Sequence, residues 1–379
     1  MTAINNALIV GGGIGGLTAG TALRRAGIKV DLIEAKPDLG VYGVGIIQPN
    51  NTLRALDQIG LADRCVEEGA PFPGWRIYNE AGEFLIEVST RNSAARNFPP
   101  VNGITRPALH TILTQAAVAH GVTIRVGVRI AQLNQTDDSV RVVLSDGSEG
   151  RYDLVIGCDG IYSDTRRRLF DDVTSPRNVG QSVWRYNLPR PQHLDWGRIY
   201  YGSKSKVGLV PLGPQLMYMF LVTSEPANQP MPTERLAALM RDRLSSYQGY
   251  IAELREKIVD PEQVVYKSME HLLLPSPWMK GRVIVIGDAA HATTPHLAQG
   301  AAMAIEDAVL LGELLGRDAP VDAVLDEFMR RRFERVKLVV EVSKQLADWE
   351  MEEWRGGSSF ADQHGALIDQ TTSALMAPY

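Results

Sequence analysis

The segment Ala7-Leu8-Ile9-Val10-Gly11-Gly12-Gly13-Ile14-Gly15-Gly16 decides the fold of this 379-residue chain. It begins with a short apolar run, the pattern of a strand that is buried on both faces of a parallel sheet. Residues 17–25 then have a helical pattern that ends at Gly27, and a second apolar run over 29–33 ends at Glu34. Together these segments predict a βαβ unit whose first turn is rich in glycine.

The glycines of this turn meet the requirements of a dinucleotide site. Gly11, Gly13 and Gly16 permit a tight turn, a close approach of the backbone to a pyrophosphate, and close packing of the helix on the strand. The helix N-terminus presents free N–H groups to the phosphates. Glu34 lies where its carboxylate can accept from ribose hydroxyls and where it disfavours a 2′-phosphate, so we expect FAD or NAD rather than NADP. The predicted contacts are Gly11, Gly13, Ile14, Gly15, Gly16 and Glu34.

The composition excludes several classes of protein. Hydrophobic residues make up 45% and charged residues 22%, an ordinary globular mixture. The net charge of −5 offers no broad positive surface for nucleic acid or acidic lipid. The two cysteines allow neither a disulfide framework nor a cysteine-rich metal site, and the histidines have no metal spacing. Without a secretion signal or a long apolar run, we expect a cytoplasmic protein with no membrane, nucleic-acid or metal partner.

The pattern along the chain predicts two domains and a tail. From 176 to 269, short β-like runs broken by proline and glycine replace the parallel pattern, which returns at 282–286. This predicts an α/β fold, in which a mostly antiparallel sheet domain for substrate is inserted into a Rossmann-like dinucleotide-binding domain. The sheet domain for substrate comprises 71–99 and 176–275, and the dinucleotide-binding domain comprises 1–70, 100–175 and 276–350. Helices follow toward the C-terminus, the tail 351–379 has little pattern after Gly356, and Arg330–Arg332 are expected to form a solvated helix face.

Two further motifs give the chain a family resemblance. They are Gly-Cys-Asp-Gly-Ile-Tyr-Ser-Asp-Thr-Arg at 157–166 and Gly-Asp-Ala-Ala-His-Ala-Thr-Thr-Pro at 287–295. With the first turn, in this order and spacing, they resemble the group A (single-component) FAD-dependent aromatic hydroxylases, flavoprotein monooxygenases related to para-hydroxybenzoate hydroxylase, over residues 5–350. Residues 296–307 are most similar to 6-hydroxynicotinate 3-monooxygenase-type members, although Ala298 stands where many members have glycine. The resemblance implies a FAD-binding domain of the GR2 type.

The resemblance also implies contacts to FAD. Asp288 would contact the ribityl chain or pyrophosphate, Arg106 would reach the phosphates, and the main chain at Val128 would hold the adenine. Asp159 is associated with both FAD and NAD(P)H binding, and the loop 44–50, which includes Gly45, would lie beside the flavin. We expect a helix N-terminus, comprising Gly300, Ala301 and Ala302, at the pyrimidine edge of the flavin. Negative charge accumulates at that edge when the flavin is reduced.

The chemistry implied by the resemblance is hydroxylation of a small electron-rich phenol or hydroxypyridine. NADH or NADPH would reduce FAD, and O2 would add at flavin C4a to form a hydroperoxide that attacks the ring. Candidate residues for catalysis are His296 as a base, Tyr218 as a relay for a ring proton, and Arg185 as the partner of a substrate carboxylate. The plainer alternatives are a loop histidine bonded to backbone, a tyrosine packed in the core and a surface salt bridge.

Other functions and several details stay open at this level. A larger polyketide-type antibiotic could be the substrate, the chain could be a FAD-dependent reductase that does not use O2, or it could bind FAD without catalysis. Neither the substrate nor the choice between NADH and NADPH follows from the residues. A homodimer is common in the resembled family, but the sequence shows no interface.

Overall fold

The computed structural model describes residues 4–41, 43–90, 98–170, 174–227 and 229–379. The predicted domain segments also contain residues 1–3, 42, 91–97, 171–173 and 228, which lie outside this described part. The strands are β1 Asn6–Val10, β2 Lys29–Glu34, β3 Gly45–Pro49, β4 Ala70–Phe72, β5 Gly74–Asn79, β6 Phe84–Ser89, β7 Val101–Thr105, β8 Thr123–Val126, β9 Ile130–Gln135, β10 Val140–Leu144, β11 Glu149–Tyr152, β12 Leu154–Gly157, β13 Arg177–Pro189, β14 Gly197–Tyr201, β15 Ser205–Pro211, β16 Leu216–Ser224, β17 Val265–His271, β18 Met279–Lys280 and β19 Val283–Val285. The α-helices are α1 Ile14–Arg25, α2 Asn50–Gln58, α3 Ala62–Glu67, α4 Arg106–Ala119, α5 Asp164–Leu169, α6 Leu236–Arg243, α7 Gly249–Arg255, α8 Asp288–His291, α9 Gly300–Leu315, α10 Val321–Trp354 and α11 Ala361–Ala374.

The predicted βαβ unit forms the centre of a six-stranded sheet, with strand order β18-β19-β12-β1-β2-β8. Strand β1 pairs in parallel with β2 and with β12, and β12 pairs in parallel with β19. Ala7, Leu8 and Ile9 are fully buried, and they share one core with apolar residues of α1, α4 and α9. Burial of β1 on both faces explains why its apolar residues are consecutive rather than alternating.

A seven-stranded sheet has the order β17-β13-β16-β15-β14-β5-β6. Its pairs are antiparallel except for β14 and β5, which run in parallel. Segments 74–89 and 177–271 therefore meet in one sheet. The mostly antiparallel character expected for 176–269 is confirmed.

The two faces of this sheet pack against different partners. Trp184 and Leu209 on one face pack on apolar residues of α6 and α7. Val210 and Tyr218 on the opposite face pack on Val44, from the loop before β3, and on residues of β4 and β7. Since β3, β7 and β4 form their own three-stranded sheet, this second face of the seven-stranded sheet is the one that packs on that small sheet and on Val44. We call it the inner face.

The expectation that Arg330–Arg332 form a solvated face is wrong for Arg332. Its side chain is fully buried, with NH1 donating to Glu306 at 2.6 Å and Nε donating to Asp307 at 2.7 Å. Consecutive helical residues are about 100° apart, so Arg332 lies about 200° around α10 from Arg330 and faces α9 when Arg330 faces solvent. Arg330 is exposed.

The segment after Gly356 is more ordered than its sequence pattern indicated. It contains α11, and the following residues are held by arginines from distant elements. Arg54 of α2 donates to the carbonyl of Met376 at 2.6 Å, and Arg335 of α10 donates to that of Leu375 at 2.8 Å. These contacts are nonlocal, which explains why local periodicity did not reveal them.

Within the described residues, no helix has both the length and the apolar character that a membrane crossing needs. The same residues contain no group of three or more histidine, cysteine or carboxylate side chains placed to hold a metal ion.

Candidate active site

The glycine-rich turn is tight where it meets protein and open where a ligand would approach. A Cβ added to Gly16 would lie 1.9 Å from the carbonyl oxygen of Gly11, and one added to Gly11 would lie 2.4 Å from the carbonyl oxygen of Cys158. By contrast, a Cβ added to Gly13 would have no heavy atom within 4 Å. Gly11 and Gly16 therefore serve packing, whereas Gly13 borders free space at the start of α1.

Backbone donors line that free space. The N–H groups of residues 13–16 donate to no acceptor in the described part of the chain, whereas Gly12 N donates to Glu34 Oε2 at 2.8 Å. His110 of α4 contacts the carbonyl oxygen of Gly12 through Nε2 at 2.9 Å and so helps to fix the turn. A row of free N–H groups at a helix N-terminus is the usual binding site for a phosphate.

Glu34 is held at the edge of this site. Its second carboxylate oxygen accepts from Lys36 N at 2.8 Å, and its carbonyl accepts from Val128 N at 3.0 Å. The carboxylate is thus fixed at the C-terminal end of β2, beside the turn, as a ribose contact requires. Because the N–H of Val128 is engaged, its carbonyl remains for the predicted main-chain contact with adenine.

The Asp-Gly motif lies directly against the first turn. Asp159 accepts from Thr165 N at 2.9 Å and from Ser163 Oγ at 2.5 Å, so its carboxylate shapes the turn before α5. Arg166 is buried and donates through NH1 to the carbonyl of Ala289 at 2.8 Å, which links this motif to the Gly-Asp motif. The three predicted motifs therefore come together in space.

Asp288 of the Gly-Asp motif faces a narrow cleft. It is exposed, yet protein surrounds it closely enough that burial raises the pKa of its carboxyl, while neighbouring His291 and Arg106 lower that pKa. These features together are typical of a side chain on the wall of a cleft that a ligand can enter.

A buried charge network positions the backbone before Asp288. Asp307 Oδ2 accepts from Gly287 N at 3.0 Å and from His291 Nε2 at 2.6 Å. Although burial by itself raises the pKa of Asp307, His291 and Arg332 hold that pKa at about 2. His291 thus has a structural part in this motif.

The N-terminus of α9 has free donors and one strained residue. The N–H groups of Gly300, Ala301 and Ala302 donate to no acceptor in the described ranges. Just before them, Ala298 has φ 55° and ψ 27°, the left-handed conformation that favours glycine. The departure from the family pattern at Ala298 therefore has a conformational cost.

Arg185 and Tyr218 lie on the inner face of the seven-stranded sheet. The charge of Arg106 lowers the pKa of both side chains, and it also lowers the pKa of Asp288. Arg106 is therefore a neighbour both of the sheet and of the Gly-Asp motif. A Cβ added to Gly45 would lie 2.5 Å from the Tyr218 ring, which explains glycine at the start of β3; the segment 44–50, expected as a loop, is mostly this strand because it pairs with β7. Arg185, Tyr218 and Asp288 thus lie near Arg106, and Gly45 lies against Tyr218, so we place these five residues around the cleft beside Asp288.

This cleft combines the cationic side chain of Arg185 with the neutral phenol of Tyr218. Arg185 has no hydrogen bond or ion pair with any residue that the structure describes, so the surface salt bridge is not observed. Burial lowers the pKa of its guanidinium. Burial also raises the pKa of Tyr218 to about 12, so its phenol keeps its proton at neutral pH. A lone cation beside a neutral phenol suits an anionic or polarised ring substituent.

His296 is placed differently from the other catalytic candidates. Its side chain is only 2% exposed, and Nε2 lies 3.2 Å from Glu350 Oε2. Nδ1 lies 2.9 Å from Thr294 Oγ1. Its partners are therefore two side chains rather than backbone, and its ring lies in a buried cluster instead of on the cleft wall.

Several residues of the site were not found from sequence. Lys206 and Glu350 are 144 residues apart and no pattern connects them. Asn51 bonds both to Gln299, at 3.0 Å, and to Glu306, at 2.8 Å. The one available signal was the pair of acids at 306–307 inside an otherwise apolar helix, because buried charges require partners.

Comparison with known proteins agrees with this geometry. The sequence model of the family described as FAD binding domain matches residues 5–343. The aurachin C monooxygenase/isomerase of Stigmatella aurantiaca is 31% identical over 349 residues, covering 90% of each chain. The 3-hydroxybenzoate 6-hydroxylase 1 of Aquipseudomonas alcaligenes is 30% identical over 362 residues, covering 91% of this chain and 89% of that one.

A solved structure supports the fold. HpxO of Klebsiella pneumoniae, complexed with FAD and uric acid, superposes with a TM-score of 0.85 over 99% of this chain and 97% of that one, at 24% identity. The family match extends over most of the chain, and the predicted resemblance is confirmed. The chain belongs to the FAD-binding-domain family and is an FAD-dependent monooxygenase.

Proposed function

We propose that this monooxygenase uses NAD(P)H and O2 to hydroxylate a small electron-rich aromatic or N-heteroaromatic compound of the phenol or hydroxypyridine type. The observation that carries the proposal is that Arg185 and Tyr218 of the sheet and Asp288 of the Gly-Asp motif are all electrostatic neighbours of Arg106. The relatives support it, since one is named for a hydroxybenzoate and a neighbouring structure contains uric acid.

The residues at the glycine-rich turn fit FAD. The open space at Gly13, the row of free N–H groups and the fixed carboxylate of Glu34 suit a pyrophosphate and a ribose. We assign FAD binding to the discontinuous domain 1–70, 100–175 and 276–350, and substrate binding to 71–99 and 176–275. The proposed FAD contacts are Gly11, Gly13, Ile14, Gly15, Gly16, Glu34, Gly45, Arg106, Val128, Asp159, Asp288, Gly300, Ala301 and Ala302.

Side chains cannot activate dioxygen by themselves, and bound FAD reduced by NAD(P)H supplies that chemistry. The task of the chain is to bind and orient the ring. Arg185 favours the ionised form of a ring hydroxyl or carboxylate through charge-assisted hydrogen bonds. Tyr218 keeps its proton and can donate to the same oxygen, because burial raises its pKa to about 12. Both effects increase electron density where the ring must react.

The cleft is also arranged to exclude water. Val210 and Leu212 are almost fully buried beside Tyr218, and Val44 and Phe72 close the same cluster from the FAD side. An apolar wall strengthens the hydrogen bonds at Arg185 and Tyr218 and limits side reactions with water.

The test is substrate-dependent oxidation of NAD(P)H, with O2 consumption, product and peroxide all quantified. The panel contains phenols, hydroxypyridines and one matched pair, 3-hydroxybenzoate and its uncharged methyl ester. We expect product formation with little peroxide. For anionic substrates, Arg185→Gln should lower kcat/KM by about 10- to 100-fold, the value of a lost charge-assisted hydrogen bond, and should lower it less for the ester.

The matched control is Arg177→Gln, at an exposed arginine near the start of the same strand. It should behave as wild type. If no aromatic compound stimulates NAD(P)H oxidation and O2 is not consumed, the hydroxylase proposal fails. If Arg185→Gln affects the acid and its ester equally, the role of Arg185 in substrate recognition is wrong.

A further inference from the structure

A buried amide oxygen lies on the inner face of the sheet, beside the residues proposed to bind substrate. Asn187 of β13 pairs in register with Tyr218 of β16. Residues directly opposite each other share a face of the sheet, with Cβ atoms about 4.5–5.5 Å apart. Arg185, two positions before Asn187, faces the same way and pairs with Phe220. The patch that we call the corner patch therefore comprises Arg185, Asn187, Tyr218 and Phe220.

The amide oxygen of Asn187 is unsatisfied. Oδ1 is buried and accepts no hydrogen bond from any residue that the structure describes. Arg185 and the phenol of Tyr218 are donors on the same patch, yet neither donates to this oxygen. A buried acceptor without a partner costs free energy, and folded proteins generally avoid it. The oxygen is thus placed to meet a donor that the chain itself does not supply.

The aromatic residues of the corner patch leave the polar groups of β13 uncovered. A Cβ added to Gly208 of β15 would lie 2.1 Å from the ring of Phe220, so this ring lies over β15, on the side away from Arg185. The rings of Phe220 and Tyr218 are 6.1 Å apart, with their planes inclined by 42°. Arg185 and Asn187 both keep some exposed surface, as residues that a ligand reaches must.

The donors and the acceptor of the patch define the ligand that fits it. The guanidinium of Arg185 only donates, so it favours an acceptor oxygen on the ring. The amide oxygen of Asn187, next to Tyr218, favours a donor close to that ring oxygen. An N-heteroaromatic ring whose hydroxyl is adjacent to the ring nitrogen offers this pair, because its lactam tautomer has a carbonyl oxygen beside an N–H. A carbocyclic phenol of the same shape has C–H at that point and leaves Oδ1 unpaired.

We propose that Asn187 is a specificity-determining residue whose Oδ1 accepts from the ring N–H of a lactam, while Arg185 and Tyr218 hold the adjacent carbonyl oxygen. The inference rests on the proposed function and narrows its substrate class to rings with an N–H beside the oxygen. A site built to hydrogen-bond a substrate N–H discriminates against the analogue that lacks it, because a buried polar group of the site is then left unpaired.

The test compares binding of matched ligands and does not depend on turnover. Dissociation constants are measured from the change in flavin absorbance of the oxidised, FAD-loaded enzyme. The pairs are 2-pyridone with phenol and 2-quinolone with 2-naphthol, whose members have the same shape and differ at the ring N–H. Asn187→Leu replaces the amide by an apolar group of similar size. It should shift the ratio of the two dissociation constants, in the pair whose ring size the site admits, by about 5- to 100-fold toward the carbocycle.

The matched control is Asn134→Leu, at an exposed asparagine of β9 in a different sheet, and it should keep the wild-type ratios. The melting temperature of the apoprotein gives a second measurement. It should stay the same or rise in Asn187→Leu, because the change removes an unsatisfied buried atom. A lower melting temperature with unchanged ratios would show that Asn187 is merely structural. Unchanged ratios in both pairs overturn the inference, as does the absence of any spectral change with all of these compounds at millimolar concentration.

Failure of this inference is distinguishable from failure of the proposed function. If wild type binds a lactam selectively through Asn187 but consumes no O2 with any aromatic compound, the hydroxylase proposal fails and the assignment of Asn187 stands. If wild type hydroxylates phenols while Asn187→Leu leaves both ratios unchanged, the hydroxylase proposal stands and the assignment of Asn187 fails.

Discussion

Replacement of Gly13 by alanine separates FAD binding from folding. Gly13 has φ −82° and ψ −171°, an extended conformation that alanine adopts without strain. An added Cβ would meet no heavy atom of the protein within 4 Å. The methyl group would instead enter the space beside the free N–H groups of residues 14–16, where we place the pyrophosphate. The substitution should therefore leave the fold intact and obstruct the cofactor.

The expected size of both effects follows from this geometry. Alanine reduces the entropy of the unfolded chain by about 0.4–1 kcal/mol but is a poorer helix N-cap by about the same amount, so the melting temperature of the apoprotein should change little. Loss of one charge-assisted hydrogen bond to phosphate costs about 1.5–3 kcal/mol. The dissociation constant for FAD should then rise about 10- to 140-fold.

The assay pairs thermal unfolding of the apoprotein with FAD titration by flavin fluorescence. Gly16→Ala is the matched control, because its Cβ would lie 1.9 Å from the carbonyl oxygen of Gly11. That change should destabilise the apoprotein by at least about 1–3 kcal/mol through overpacking. Normal FAD affinity in Gly13→Ala would refute the placement of the pyrophosphate at this turn, as would equal loss of stability in the two variants.

Three further predictions concern the charge network and the loop before α9. Arg332→Met should lower the free energy of unfolding by about 3–5 kcal/mol because it removes the charge-assisted donors from the buried carboxylates of Glu306 and Asp307, whereas exposed Arg330→Met should change it by less than about 0.5 kcal/mol in the same denaturant titration. Ala298→Gly should raise the melting temperature slightly, since relief of about 1–2 kcal/mol of left-handed strain exceeds about 0.4–1 kcal/mol of added unfolded-state entropy; a lower melting temperature would contradict this. With the pKa of Asp307 held at about 2, its contribution is present above about pH 4 and lost as pH falls toward 2, so acid unfolding curves of wild type should be steeper there than those of Asp307→Asn.

The sequence predicted most where function depends on contiguous residues. The apolar run of β1, the glycines at 11, 13 and 16 and the acid at Glu34 act within one βαβ unit, so their spacing contains the geometry. The change near residue 176 to short β-like runs broken by proline and glycine likewise indicated a second sheet. The helices expected toward the C-terminus include α9, Gly300–Leu315, whose apolar residues are mostly buried and make its pattern continuous.

The sequence was less informative where a side chain depends on a remote partner. Nothing local distinguishes buried Arg332 from exposed Arg330, and the choice follows from which side of α10 packs on α9. The contacts of Arg54 with the residues after α11 are equally nonlocal. Local periodicity reports the environment of a helix but not the identity of its neighbours.

The sequence by itself determined a dinucleotide-binding turn and an inserted sheet, because the backbone conformations that glycine permits and the alternation of apolar residues are local properties. Only the tertiary structure decided that Arg185 lies beside Tyr218 without an ion pair to any described residue, and that His296 is buried against Glu350 and Thr294. The physical reason is that the direction and charge state of a side chain depend on the desolvation and the partners supplied by distant segments once they pack together.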